Sequence, residues 1–275
     1  RSGMTLALAC ALFSGSPSFA QSASLVGGEV LESANRKDPS DFERARHDFD
    51  HDQYAAALEQ SEAWVQDPAA GDGAAGDRKA LMQVEAEFRA ALCAMYLYHK
   101  DAVWRIDRFI ERHPESTWVP KLQWALANYE YSRRKWGKSI DSFDALNPRR
   151  LSKSMRTEYH FKRGHARFET GDLEGARGDL LRVKEDPAAQ PEFLEASEYY
   201  LAHIAFAEDR LTTALESFEA LSAIVAFKDA VPLYIGQILY RLQRFDEFAA
   251  RAPEWLSEER DLAKGDRNEL TRMLG

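Results

Sequence analysis

The stretch Tyr159–Pro187 limits the fold more than any other, because it is typical of two short helices joined by a tight turn. The turn is predicted at Gly171-Asp172, since glycine and aspartate favour the backbone conformations that turns require. On both sides of it apolar residues recur three and four positions apart, which is the period of an α-helix. These positions are Phe161, Gly164, Phe168, Leu173, Ala176, Leu180 and Val183. The stretch is therefore predicted to be a helical hairpin.

The same hairpin pattern recurs along the chain at a nearly constant spacing. The first residue after each of five predicted turns is Tyr54, Trp136, Leu173, Leu211 or Phe245. Positions 136, 173, 211 and 245 lie 37, 38 and 34 residues apart. A helix pair is predicted over 41–67, and single helices over 79–99, 101–112, 121–134, 138–146, 157–170, 173–183, 192–208, 212–221, 231–242 and 245–255. No convincing strand is found, so the chain is predicted to be an array of stacked helix pairs.

The residues at equivalent positions resemble the tetratricopeptide repeat, whose period is about 34 residues. In the second helices the family's small and apolar positions are held by Ala102/Ile106/Phe109/Pro114, Ser139/Phe143/Leu146, Ala176/Leu180/Val183 and Ala214/Phe218/Leu221. In the first helices the family's Leu-Gly pair is matched by Leu126-Ala127, Gly164, Leu201-Ala202 and Ile235-Gly236. Small residues at this place allow two helices to cross closely. The resemblance implies an all-α fold, a right-handed α-α superhelix of about six helical hairpins over residues 41–275.

One hairpin departs from the family pattern. Arg163 and Arg167 stand where the family usually has leucine and tyrosine. We expect the first helix of this hairpin to be slightly rotated, with Phe161 and Phe168 taking those places in the core.

The two ends of the sequence carry predictions of their own. Residues 1–20 have the layout of a secretory signal peptide, with Arg1 ahead of the apolar run Met4–Phe13 and small residues before a cut after Ala20. Lipidation of Cys10, instead of its removal with the signal peptide, stays open, and residues 21–40 are predicted to be a flexible leader. At the other end, Leu274-Gly275 falls where the next Leu-Gly pair belongs. This predicts a seventh repeat truncated at the C-terminus, and hence an N-terminal fragment of a longer protein.

Composition and charge argue against several classes of function. The formal net charge of −9 disfavours non-specific binding to nucleic acid or to anionic lipid. No apolar run reaches the ~18–20 residues that a membrane-spanning helix needs. With only Cys10 and Cys93, the chain has neither a disulfide framework nor a cysteine-based zinc site. Cys93 lies in an alanine- and leucine-rich run and is predicted to be a buried thiol.

Three short motifs match sites of chemistry only in part. The stretch 71–76 fits the glycine spacing of a dinucleotide-binding loop, but it has no strand before it and is predicted to be a surface loop. His47 and His51 have a spacing that could hold zinc on a helix, yet no glutamate base lies between them. Glu85 and Glu87 fall on different helix faces and cannot act as a pair. No catalytic residue, metal or cofactor is predicted, and the chain is not expected to be an enzyme.

Aligned first helices give three columns of candidate partner-binding residues, which we call the first-helix columns. The first column is Trp124, Phe161, Tyr199 and Leu233; the second is Asn128, His165, His203 and Gln237; the third is Tyr131, Phe168, Phe206 and Tyr240. The resemblance places these positions on or near a concave surface that binds peptides in the family. Rings would supply contact area and polar groups would pair with a peptide backbone. The alternative is that the aromatic columns form core between helices, with the second column exposed.

The resemblance implies an exported protein-interaction scaffold of a Gram-negative cell envelope, in the periplasm or at the outer-membrane periphery. The link Phe109–Pro120 resembles repeats of envelope accessory proteins, so a protein or peptide partner, and association with outer-membrane machinery, are expected. No nucleic-acid partner is expected. Two alternatives stay open. One is a carbohydrate- or peptidoglycan-binding module that uses its aromatic residues as stacking platforms. The other is the N-terminal part of a protein with a downstream catalytic domain.

Overall fold

A computed structural model describes residues 41–66 and 74–275, and within these ranges the chain is helical without any strand. The helices are α1 (Asp41–Asp50), α2 (Tyr54–Gln66), α3 (Ala74–Tyr96), α4 (Ala102–Arg112), α5 (Val119–Ser132), α6 (Trp136–Asp144), α7 (Lys153–Thr170), α8 (Leu173–Glu185), α9 (Pro191–Ala207), α10 (Leu211–Ser222), α11 (Pro232–Arg241), α12 (Phe245–Trp255) and α13 (Lys264–Leu274), with a short 3-10 helix at Pro148–Arg150. The predicted signal peptide over 1–20, the leader over 21–40 and the first half of the stretch 71–76 lie outside the described residues. The surface loop predicted for that stretch is wrong for its second half, because Ala74–Gly76 belong to α3.

The described helices fall into two compact units, which meet in sequence between Ser152 and Lys153. The N-terminal unit holds α1 to α6, and the C-terminal unit holds α7 to α13. In each unit consecutive helices pair as antiparallel hairpins, and each second helix packs on the first helix of its own hairpin. The second helices α2, α6, α8, α10 and α12 begin at the five residues that follow the predicted turns. The predicted fold class, all-α with stacked helical hairpins, is confirmed, and each unit holds three of the hairpins.

The core of each unit is made by the apolar stripes that the sequence predicted. Ile106 and Phe109 on α4, Leu180 on α8 and Phe218 on α10 are buried at the positions of the repeat pattern. Each fully buried side chain of this size contributes about 1.5–3 kcal/mol relative to an exposed one. The stripes recur because each hairpin buries its apolar face only on its neighbours, so no hairpin is expected to be stable alone.

Close helix crossing explains the small residues in the first helices. A Cβ atom added to Gly164 would lie 3.1 Å from both Asp179 Cβ and Leu180 Cγ on α8. A Cβ at Gly236 would lie 2.8 Å from Leu270 on α13. The predicted reason for the Leu-Gly pair therefore holds at both glycines.

The turn inside every hairpin has the same backbone geometry. A residue just after each first helix adopts a positive φ, and these residues are Asp52, Tyr98, Arg134, Gly171, Asp209 and Gln243. In each case its N–H donates to the carbonyl three residues back, and the next N–H donates to the carbonyl five residues back. This is the Schellman motif, which satisfies carbonyls at a helix end and reverses the chain. The six hairpins thus share one local device as well as one spacing.

Two glycines of the same hairpin are expected to respond in opposite directions to alanine. Gly171 has φ 87°, so Gly171→Ala should lower the free energy of unfolding by about 1 kcal/mol. Gly178 lies inside α8 with open space around its Cβ position, so Gly178→Ala should raise it by about 0.5–1 kcal/mol. Urea unfolding followed by circular dichroism measures both, and equal signs for the two variants would contradict the left-handed turn.

No helix in 41–66 or 74–275 is both long and apolar enough to cross a membrane.

Candidate functional site

The first of the first-helix columns is part of the core. Its residues Trp124, Phe161, Tyr199 and Leu233 are all buried. Trp124 meets the ring of Phe143 edge-on at 5.9 Å, within its own hairpin. The alternative that these aromatic residues pack between helices is therefore confirmed. The burial of the column's three aromatic rings removes them as platforms for stacking a sugar.

The predicted exposure of the second column is wrong for Asn128 and His165, which are 4% and 2% exposed. Asn128 Nδ2 donates a hydrogen bond to the carbonyl of Trp124, 2.9 Å away. The His165 ring stacks on Tyr200 at 4.6 Å, because the first helix of the next hairpin crosses over this position. His203 and Gln237 are half-buried. Partner binding by the column stays a prediction.

The third column is the most open of the three. Tyr131, Phe168 and Phe206 are half-buried, and Tyr240 is 49% exposed. The Arg241 guanidinium lies 5.1 Å from the centre of the Phe206 ring. In the C-terminal unit these rings sit at equivalent positions near the ends of α7, α9 and α11. One partly open aromatic side chain thus recurs at the same position of successive hairpins.

Two tyrosines that cover the columns were missed by the sequence analysis. Tyr200 lies 5.1 Å from Phe168, besides its stack on His165. Tyr234 has the same role in the next hairpin and meets the ring of His203 edge-on at 4.3 Å. Each follows a first-column residue directly in the sequence. An aromatic residue just beyond a core column was the signal that could have indicated this contact between hairpins.

His203 occupies an aromatic cage. Its ring centre lies 4.4 Å from that of Tyr199, 5.1 Å from that of Phe218 and 6.1 Å from that of Phe168. The buried Nε2 atom finds no hydrogen-bond partner. Burial lowers the pKa of His203 to about 3, because nothing in the cage compensates the charge of an imidazolium. His203 is neutral at physiological pH for this reason. The surroundings of His165 differ from those of His203, because the ring of His165 stacks on Tyr200.

A second feature that the sequence analysis missed is a buried carboxylate in the α7–α8 hairpin. Asp179 is 1% exposed and accepts hydrogen bonds from three side chains of α7. The donors are His160 Nδ1 at 3.0 Å, Arg163 Nε at 2.8 Å and Nη2 at 2.6 Å, and Arg167 Nη1 at 3.0 Å. Arg163 also lies over the Tyr159 ring, 4.5 Å from its centre. Asp179 thus joins the two helices of one hairpin through charge-assisted bonds.

The Asp179 network explains why this hairpin departs from the repeat pattern. Arg163 and Arg167 flank Gly164, where α7 and α8 approach closely enough for both guanidinium groups to reach Asp179. Phe161 is buried in the core as expected, whereas Phe168 is only half-buried and packs against the edge of the core. Burial raises the pKa of Asp179, but the hydrogen bonds of His160 and Arg163 and the nearby guanidinium charges outweigh it, so the pKa lies below its usual value.

The motifs considered for metal or acid–base chemistry have structural partners. The rings of His47 and His51 stack 4.0 Å apart. Glu85 binds Arg46, whereas Glu87 binds Arg112 and His113, so the two carboxylates serve different faces of α3 as predicted. The part of the chain that the structure describes brings no three histidine, cysteine, aspartate or glutamate side chains together in an arrangement that could hold a metal ion.

Cys93 is fully buried in α3, as predicted. Burial raises the pKa of its thiol to about 12, so the reactive thiolate is suppressed at neutral pH.

Comparison with known proteins bears on the fold. No protein-family model matches the sequence, and no curated protein matches it. Among solved structures the chain is similar to the crystal structure of the apo form of RapI, with a TM-score of 0.51 and 12% sequence identity. The match covers 85% of this chain and 69% of the RapI chain. The likeness is one of fold. It supports the helical-repeat architecture, and the tetratricopeptide family itself remains a resemblance.

Proposed function

We propose that this chain is a protein-interaction scaffold of the bacterial cell envelope, which binds a protein or peptide partner along the open edge of its first-helix columns. The observation that carries the proposal is the repetition of a partly open aromatic side chain at one position of successive hairpins. Phe168, Phe206 and Tyr240 provide it in the C-terminal unit. Aromatic residues that combine exposure with a rigid setting are favoured at protein interfaces.

The residues now assigned to binding differ from the full predicted set. Tyr240 at 49% exposure and the half-buried Gln237 lie one turn apart on α11 and are accessible to a partner. Buried members such as Asn128 and His165 act by holding the first helices in register. Export to the periplasm or the outer-membrane periphery belongs to the same proposal, and it is supported by the signal-peptide layout of residues 1–20.

The proposal predicts that Gln237→Ala combined with Tyr240→Ala weakens capture of the partner roughly tenfold, the effect of losing one interface hot spot. The immobilised chain is exposed to an envelope extract, and retained proteins are quantified by mass spectrometry. Trp104→Ala is the matched control, because Trp104 is 56% exposed on α4, outside the columns. If the double variant retains the same proteins in the same amounts as the wild type and keeps its helical content, the columns do not bind the partner.

A further inference from the structure

An aromatic pair, with one ring exposed and the other half-buried, connects two neighbouring hairpin turns of the N-terminal unit. Tyr98, in the α3–α4 turn, is 59% exposed, and its ring centre lies 6.1 Å from that of Tyr129 near the end of α5. The Arg133 guanidinium lies 5.5 Å from the centre of the Tyr129 ring. Two rings and one planar cation therefore form a continuous surface across the two turns.

Positive charge around this pair is only partly offset by acidic groups. Lys100, Arg133, Arg134 and Lys135 are exposed, and none of them makes an ion pair within the described residues. The charge of Lys135 acts on the buried Glu130, and the acidic group next to Lys100 is engaged elsewhere. Asp101 accepts a hydrogen bond from Arg105 at 2.8 Å, and the buried Glu130 accepts one from Ser142 at 2.9 Å.

A corresponding turn of the C-terminal unit differs in this respect. At the α11–α12 turn, Arg241 pairs with Asp209 at 2.6 Å and Arg244 pairs with Glu247 at 2.5 Å. Unpaired basic charge is thus a property of the α3–α4 and α5–α6 turns, not of hairpin turns in general. In a chain whose net charge is −9, such a local excess stands out.

The backbone of both turns holds large side chains in a costly conformation. Tyr98 and Arg134 each have φ 56°, in the left-handed region, where the α7–α8 turn has Gly171. A non-glycine residue costs about 1–2 kcal/mol there, and a bulky one such as tyrosine is uncommon. Asp52, Asp209 and Gln243 adopt the same backbone in three other turns, so the side chains and their charge, not the backbone, set these two turns apart.

We propose that these two turns bind an acidic segment of a partner protein. The turn surface consists of Tyr98, Lys100, Tyr129, Arg133, Arg134 and Lys135. An arginine guanidinium group binds a carboxylate through two parallel hydrogen bonds, and tyrosine rings add contact area beside it. The negative charge of the whole chain opposes its approach to an extended anionic membrane. A short acidic segment is small enough to be attracted by the positive charge of the turn surface alone. The inference rests on the proposed role as a protein-binding scaffold but concerns a different surface from the first-helix columns.

The test measures binding of the full chain to fluorescein-labelled peptides by fluorescence anisotropy. One peptide is glutamate-rich with a central tyrosine, and a second has every glutamate replaced by glutamine. Arg133→Glu combined with Arg134→Glu should weaken binding of the glutamate peptide at least about tenfold, and added salt should weaken binding to the wild type. Arg149→Glu combined with Arg150→Glu is the matched control, because it makes the same charge change at two exposed arginines of the 3-10 helix.

Three outcomes would overturn the inference. The first is equal binding of the two peptides, and the second is an equal loss of affinity in the two double variants. The third is that the chain does not bind the glutamate peptide and co-sediments with phosphatidylglycerol-containing vesicles but not with phosphatidylcholine vesicles. Lys100→Glu, in the other turn, tests the same surface should the arginine variant lose helical content. Because the peptides report only on the turn surface, failure here leaves the Gln237 and Tyr240 test unaffected.

Discussion

Asp179→Ala is expected to lower the free energy of unfolding of the C-terminal unit by about 3–5 kcal/mol, because breaking a buried ion network leaves charges without compensation. His160 and Arg163 would lose their shared acceptor inside the hairpin, and Arg167 would lose its bond to Asp179. Such a loss is a large share of the stability of an ordinary domain, about 5–15 kcal/mol. Chemical denaturation followed by circular dichroism measures it.

The control for Asp179 is an acidic residue of the same unit that lies on the surface. Glu216 is exposed on α10, so Glu216→Ala should change the stability by less than about 0.5 kcal/mol. Asp179→Asn keeps the shape of the side chain but removes its charge, and should fall between the two. A loss below about 1 kcal/mol for Asp179→Ala would mean that the network contributes little to holding α7 on α8.

The second large effect concerns acid. Between pH 7 and pH 5 the wild type is expected to lose about 2 kcal/mol more stability than His203→Phe. The pKa of His203 in the folded chain is lowered to about 3, whereas an unfolded histidine titrates near 6.5. The unfolded state therefore takes up a proton in this range and the folded state does not. The stabilising effect is complete above about pH 6.5 and is lost progressively as pH falls toward 3.

Other groups around His203 do not interfere with the comparison. Burial raises the pKa of the Tyr199 phenol above its usual value, so this group stays neutral throughout this pH range. Burial also raises the pKa of Asp266 on α13, but Asp266 is present in both proteins and cancels in the difference. Phenylalanine has nearly the shape of histidine, so it should fill the cage. Parallel pH profiles for wild type and His203→Phe would show that the cage does not exclude the imidazolium.

The two surfaces proposed for binding make different demands on a partner. The open edge at Gln237 and Tyr240 offers the partner an amide group and an aromatic ring, with Arg241 nearby. The turn surface at Tyr98 and Arg133 carries unpaired positive charge. One partner protein could satisfy both with different segments, and the two sets of variants separate these contributions.

Much of the fold was predictable from local signals. The helical period, the Gly171-Asp172 turn and the spacing of Trp136, Leu173 and Leu211 located the hairpins, and the second helices begin at these residues. Boundaries were less accurate at helix starts. Helix α7 begins at Lys153 instead of 157, because buried Met155 extends its packed face by a turn. For the candidate site, the sequence predicted which positions are equivalent, but it did not predict which of their side chains are buried.

The sequence by itself determined that this chain is an array of helical hairpins, since periodicity and turn chemistry act over a few residues. Tertiary structure alone decided which first-helix side chains stay open. Tyr200 covers His165 from the next hairpin, 35 positions along the chain. It also decided that Arg163 and Arg167 share Asp179, which required the close crossing at Gly164. Such contacts depend on how neighbouring helices cross, and no local pattern in the sequence records that distance.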